Sequence, residues 1–206
     1  MNLLPFSYSW IIRKDLADAK TVLDVGCGDG ITMAAINFDK KYDVTGIDLY
    51  KPYLNLAKKT GVYKKVMLKD VRNLQKEGNK FDVVLSSQAV EHLTKKEALK
   101  LIKVMESLAI KKVIIGTTNG FFPYHPLQGR DNNPLQVHKC GWEVAEFRSF
   151  HYKVYGQGTG FIYKPWGLAH KLPILNPIWF TFSYILAPVQ YFYPNISAYI
   201  IAVKSV

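Results

Sequence analysis

The sequence predicts an α/β domain with a mostly parallel sheet and helices on both of its faces, and three observations carry that prediction. Short apolar, β-rich runs alternate with amphipathic runs from residue 21 to residue 116, at the spacing of strand–helix–strand crossovers. The run Phe81-Asp-Val-Val-Leu-Ser86 is apolar and β-branched enough to be covered on both faces, as an inner parallel strand is. The first strand ends in three alternating glycines, Gly26, Gly28 and Gly30, which open a helix and let a ligand touch main-chain N–H groups. A chain of 206 residues holds one such domain with a full core, so residues 1–206 are expected to form a single unit.

In order, a short helix is expected within residues 7–19, starting after Ser7 or Ser9, followed by a strand from Thr21 to Val25 and a helix from Ile31 to Phe38. Tyr42 to Asp48 reads as a second strand. Pro52 at the first helical position then starts a helix that runs to Lys59 and ends at Gly61. Lys65 to Lys69 and Phe81 to Ser86 are the third and fourth strands. Thr94-Lys-Lys-Glu97 has the form of a capping box, opening a helix whose inner stripe is Ala98, Leu101, Ile102, Met105 and Leu108. Lys111 to Gly116 is a fifth strand, Trp142 to Phe150 a helix, Tyr152 to Tyr155 a sixth strand before a Gly156–Gly160 turn, and Ala198 to Lys204 a terminal strand. Between these lie a loop at 121–141 rich in aromatics, proline and histidine, and an apolar insertion at 161–197.

Composition narrows the classes. The net charge is +11, with many of the lysines between residues 58 and 80, which suits an anionic partner or a solvated rim. Cys27 and Cys140 are the only cysteines and no Cys/His cluster accompanies them, so neither a disulfide framework nor a metal site is expected. The first residues carry no basic stretch and are broken by Pro5, so a cytoplasmic location is expected. From Leu172 to Val203 there is no charged side chain, and Ile178 to Ala187 is too short to span a bilayer before Pro188. That stretch is expected either to pack over the sheet edge or to meet a greasy substrate or membrane interface, with 172–196 as the peripheral membrane contact.

The residues at the strand ends carry the chemistry. Asp24 lies two residues before Gly26, and its carboxylate suits an amino-acid ammonium group better than a pyrophosphate. Asp48, in Gly46-Ile-Asp-Leu-Tyr50, can accept two ribose hydroxyls at once. Asp70 can accept from an adenine amino group while Val71 packs on the ring, and Ser86, Ser87 and Gln88 would face a sulfonium and its leaving methyl. S-adenosylmethionine carries the ammonium, ribose, adenine and sulfonium and no pyrophosphate.

Val22-Leu-Asp-Val-Gly-Cys-Gly-Asp-Gly30, Val44-Thr-Gly-Ile-Asp48, Lys69-Asp-Val71, the segment Phe81 to Leu93 with its Glu91-His92-Leu93, and Val113 to Asn119 together resemble the class I S-adenosylmethionine-dependent methyltransferases of the small-molecule, methyltransferase type 11-like kind. The resemblance covers residues 20–120 as the cofactor-binding core. It implies a Rossmann-like three-layer sandwich whose seven-stranded sheet has an antiparallel last strand. It also implies S-adenosylmethionine as cofactor, with S-adenosylhomocysteine as product, held by Asp24, Gly26, Cys27, Gly28, Asp48, Leu49, Asp70, Val71 and Ser87. Glu91 and His92 are read as organising the turn after the fourth strand.

Beyond residue 120 the acceptor is read from the residues themselves. His138 lies between the fifth strand and the next helix, where related small-molecule enzymes often place a histidine facing the methyl. With an ordinary pKa near 6.5 it is the expected general base, and His125 is the second candidate. Phe122, Tyr124 and Trp142 are expected to line the acceptor pocket. The favoured reaction is methyl transfer to a hydroxyl oxygen of a small or lipid-linked acceptor. A nucleic-acid methyltransferase, suggested by the basic balance, and a non-catalytic cofactor-binding partner remain as alternatives. The first is disfavoured because Ser86-Ser-Gln-Ala replaces the Asn/Asp-Pro-Pro-Tyr/Phe pattern associated with base amines.

Overall fold

The computed structural model describes residues 3–75, 80–123 and 133–206. Seven strands form one sheet in the order β3-β2-β1-β4-β5-β7-β6, with β1 Thr21–Val25, β2 Asp43–Asp48, β3 Lys65–Leu68, β4 Phe81–Ser87, β5 Ala109–Thr118, β6 Lys153–Thr159 and β7 Ser197–Ser205. The pairs from β3 to β5 are parallel, and β7 runs antiparallel to both of its neighbours, as the Rossmann-like reading expects. The chain reverses sheet direction at β1, between β2 and β4, so the ends of these strands border a natural crevice.

Strand alternation divides the core into two layers. Leu23 and Val25 face a cluster formed with Leu101, Ile102 and Met105 of α4 (Lys95–Leu108) and Phe147 of α5 (Val144–Ser149). Val22 faces the opposite cluster, with Ile11 and Ile12 of α1 (Tyr8–Asp15) and Met33 and Ile36 of α2 (Ile31–Ile36). Ser7 caps α1 by accepting from the Trp10 N–H, and Thr94 and Glu97 close their capping box at the start of α4. Pro52 stands in the first turn of α3 (Lys51–Lys59).

Three elements differ from the sequence reading. Helix α2 stops at Ile36 because the buried Asn37 amide turns to the main chain, donating to Tyr42 O and Val62 O and accepting from Tyr42 N. The helix expected from Trp142 begins only at Val144, since the Trp142 backbone is engaged by the end of β5, where Gly120 N donates to its carbonyl at 2.6 Å. The glycines after Tyr155 form no turn; β6 runs through them to Thr159. At Gly156 the partner segment approaches so closely that a Cβ would lie 2.5 Å from Gln190 O, so the residue is set by packing.

The apolar insertion folds into short helices rather than one. After α6 (Gly160–Tyr163) and α7 (Leu168–Lys171) come α8 (Asn176–Ile185) and α9 (Ala187–Phe192). Helix α9 belongs to the core: Tyr191 is buried and stacks on Tyr155 with ring centroids 4.6 Å apart. Gln190 donates to Thr159 Oγ1 at 2.6 Å and to Ser183 O at 3.0 Å. Helix α8 is different, with Ile178 and Ile185 exposed, and Ile174 just before it 88% exposed. Among the described residues no helix is long and apolar enough to cross a membrane.

Candidate active site

The turn after β1 is tied to the end of β2 by main-chain bonds. Gly26 N and Cys27 N both donate to Ile47 O, at 2.9 and 3.0 Å, and Gly28 N donates to Asp48 Oδ2 at 2.9 Å. The other Asp48 oxygen accepts from Tyr50 N at 2.8 Å. Each carboxylate oxygen thus spends one lone pair on the backbone and keeps one for a ligand. Gly26 has φ +73° and its absent Cβ would sit 2.5 Å from Ala89 Cβ, so the turn closes directly onto the segment after β4.

These strand ends border a cleft of about 330 Å³. Of the residues expected to hold the cofactor, Gly26, Cys27, Gly28, Asp48, Leu49, Asp70, Val71 and Ser87 all line it. Asp24 does not. It is buried beneath the turn on the same face as Val22 and accepts the Tyr63 hydroxyl at 2.8 Å. Burial pushes its carboxyl up to about 7, with the Asp48 charge adding to the rise and the Tyr63 hydrogen bond opposing it. Asp70 caps the short turn Val71–Asn73 and is paired with Arg72, whose side chain reaches it at 2.5 Å and holds its carboxyl below the usual range. The cleft therefore has carboxylates at two strand tips and a third buried below. With Asp29 and Asp48 both lining it, the turn end of the cleft suits an ammonium and sulfonium ligand; the cations of the lining are Arg72, paired with Asp70, and Lys139.

At the far end of the cleft Ser87 Oγ lies 3.0 Å from the hydroxyl of Tyr8, which also accepts from Gln88 Nε2 at 3.3 Å. Burial holds the Tyr8 hydroxyl in its neutral form. Ser7, beside Tyr8, lines a second cavity of about 310 Å³ together with Leu4, Phe6, Phe180, Tyr184 and Tyr199. Phe122 is nearly buried, with its ring 6.1 Å from that of Tyr199. Tyr124 and His125 lie outside the described residues. Trp142 is placed away from both cavities: it is wholly buried, stacks on Phe147 at 5.0 Å, and carries the Lys95 ammonium 3.5 Å above its ring. It is a core residue and not a wall of the acceptor pocket.

His138 meets two residues that the sequence reading left to the turn. Its ring lies 4.8 Å from that of His92, and Glu91, His92 and His138 each offer a ligand atom within 4.8 Å of the others. Burial lowers both imidazoles, with the His138 charge helping to push His92 down to about 4, so both are neutral at neutral pH. Glu91 is wholly buried, and desolvation raises its carboxyl to about 7 although Thr117 donates to it at 2.9 Å. His92, Arg72, Tyr53 and Lys139 also line the cleft and were missed. For His92 the signal was present in the Glu-His pair after β4, but its partner stands 46 residues further on.

The family model described as a methyltransferase domain matches residues 22–109. No curated protein sequence matches the chain significantly. Among solved structures, the methyltransferase domain of a bacterial Hen1 is 19% identical with a TM-score of 0.59, over 96% of this chain and 97% of that one. The plantazolicin methyltransferase BpumL, solved with S-adenosylhomocysteine, is 16% identical with a TM-score of 0.58, over 97% and 82% of the two chains. The magnesium protoporphyrin IX methyltransferase of Synechocystis PCC 6803, solved with bound S-adenosylmethionine, is 18% identical with a TM-score of 0.51, over 73% and 68%.

Proposed function

We propose that this chain, whose residues 22–109 match a methyltransferase-domain model, is an S-adenosylmethionine-dependent methyltransferase that methylates a hydroxyl oxygen on a small, partly apolar or lipid-linked acceptor. The observation that carries this reading is the second cavity. It is walled by Leu4, Phe6, Phe180, Tyr184 and Tyr199, and it begins one residue from Tyr8, whose hydroxyl touches Ser87 at the reacting end of the cleft. Its apolar and aromatic side suits a hydrocarbon or ring system, and Ser7, Gln157, Ser183 and Gln190 are the polar groups of the lining that would fix its orientation.

The cofactor supplies an electrophilic methyl on a sulfonium. Asp48 would take the ribose hydroxyls with its spare lone pairs, the main chain of Cys27 and Gly28 would border the methionine end, and Asp70 with Val71 would frame the adenine. Ser87 and Tyr8 stand where the acceptor oxygen enters, and their main task is alignment, because an in-line displacement gains most of its rate from geometry. The acceptor oxygen forms its bond to the methyl carbon as the carbon–sulfur bond breaks with its electron pair going to sulfur. The hydroxyl proton passes to His138, neutral at working pH, and then to solvent.

The test incubates purified protein with S-adenosylmethionine labelled in its methyl group and a fractionated cell extract. Label is expected in an organic-soluble or small-molecule fraction, in a linkage that resists mild acid and base as an ether does. Label in RNA or in protein overturns this acceptor class.

A further inference from the structure

We propose that Glu91, His92 and His138 form a binding site for one divalent transition-metal ion at the edge of the methyl-transfer cleft. The three residues arrive from two segments, the turn after β4 and the stretch before α5, and present ligand atoms within 4.8 Å of one another. One carboxylate with two imidazoles is a donor set that takes Zn²⁺, Mn²⁺, Fe²⁺ or Co²⁺, and three protein ligands leave positions open for an exchangeable oxygen. Metal–ligand bonds of about 2.0–2.2 Å put neighbouring ligands roughly 3–3.5 Å apart. Small side-chain rotations close the difference.

The independent observation is the state of Glu91. Its Oε2 accepts from Thr117, while its Oε1 is buried and finds no hydrogen-bond partner among the described residues. Leaving a buried carboxylate oxygen unmatched costs stability, and a cation is the partner such an oxygen takes. The main chain also holds the cluster in register. Lys139 N and Cys140 N both donate to Glu91 O, at 2.8 and 3.2 Å, which holds the segment that carries His138 against Glu91. His92 Nδ1 lies 3.4 Å from Val137 O, a backbone contact that orients the ring.

His92 lines the cofactor cleft, so the open positions of an ion held there are close to Ser87 and the entering acceptor. With an ion bound, His138 is a ligand rather than the proton acceptor, and an acceptor hydroxyl on the ion would lose its proton to solvent before attacking the methyl. That use of the ion rests on the hydroxyl reading above; the binding site does not.

The test is titration of the full chain, freed of metal with a chelator, with Co²⁺, followed by its visible absorption and by equilibrium dialysis. Saturable uptake of a single ion per chain is expected, weakened about 10- to 100-fold or more in Glu91→Gln and in His138→Ala, with S-adenosylhomocysteine affinity unchanged in His138→Ala. Should Glu91→Gln fail to fold, His138→Ala on its partly exposed segment decides the matter. Absence of stoichiometric uptake in the wild type, or uptake undiminished in His138→Ala, overturns the site. Stoichiometric uptake by a protein that methylates no hydroxyl keeps the site and removes the acceptor reading.

Discussion

Tyr63 donates its hydroxyl to Asp24 at 2.8 Å from below the glycine turn, so the carboxylate of the DxGxGxG segment belongs to the floor of the cofactor cleft and not to its wall. Asp24 and Tyr63 lie 39 residues apart, and their bond braces the end of β1 against the start of β3.

A buried carboxyl raised to about 7 makes stability depend on pH in a defined direction. Unfolded Asp titrates near about 3.9, so between about pH 4 and 7 the folded chain holds a proton that the unfolded chain has lost. Folding stability therefore falls as pH rises through that window and is flat above it. Asp24→Asn keeps an acceptor for Tyr63 and removes the titration. The variant is expected to match the wild type near pH 4 and to exceed it above pH 7 by something on the order of 1–4 kcal/mol. Urea unfolding of both proteins at a series of pH values reads the difference, in which other titrating groups cancel. A difference that does not change with pH contradicts the raised carboxyl.

Asp48 makes the opposite prediction. Its oxygens each hold one backbone N–H and face the cleft, so it is expected to bind the ribose directly. Hydrogen bonds to a charged group contribute about 1.5–3 kcal/mol each. Asp48→Ala is thus expected to weaken S-adenosylhomocysteine binding by at least about two orders of magnitude, whereas Asp24→Asn weakens it much less. Calorimetry giving the two variants equal losses would return Asp24 to the wall of the cleft.

At Gly26 two costs combine in Gly26→Ala, a left-handed backbone at φ +73° and a Cβ 2.5 Å from Ala89 Cβ. The turn and the segment after β4 cannot both keep their places. A loss of about 1–3 kcal/mol in stability is expected from the backbone alone, with cofactor affinity falling further because Ser87 moves with Ala89. Pairing the change with Ala89→Gly relieves the contact but leaves the backbone cost. Recovery of binding in the double variant, with stability only partly restored, is the expected calorimetric and unfolding result.

The strand-tip residues were legible because each is local: a carboxylate or glycine at the end of an apolar run, in an order that only one arrangement of the sheet brings together. What the sequence hid was set by contacts between distant segments. Val22 and Asp24 share a face by simple alternation, but only the arrival of Tyr63 makes that face the buried one for Asp24. Trp142 read as an acceptor wall because it follows an aromatic loop, and it is core because Lys95 and Phe147 cover it. Gly156 and Gly158 read as part of a turn, although both lie in β6, where the segment around Gln190 and Pro194 approaches Gly156 too closely for a side chain. His92 looked like a turn residue until His138 came beside it.

The apolar insertion divides by burial, and the division makes its role testable without unfolding the protein. Deleting 172–196 would remove Tyr191 and Gln190, which are core residues, so loss of function in such a deletion says nothing about a membrane. Ile174 and Ile185 are 88% and 68% exposed, and changes there leave the core intact. Surface substitutions of this kind alter stability by about 0.5 kcal/mol or less. If the face of α8 enters a lipid interface, each of these side chains gains about 1.5–3 kcal/mol on leaving water, and Lys164 and Lys171 nearby in the chain favour anionic headgroups. The double variant Ile174→Asp with Ile185→Asp is then expected to lose liposome binding by about two orders of magnitude or more, with S-adenosylhomocysteine affinity unchanged. Co-sedimentation with anionic vesicles measures the first and calorimetry the second. Wild-type protein that stays in the supernatant at every lipid concentration removes the membrane role and leaves α8 as a cover for the apolar cavity, in which case the same two substitutions change neither binding nor turnover.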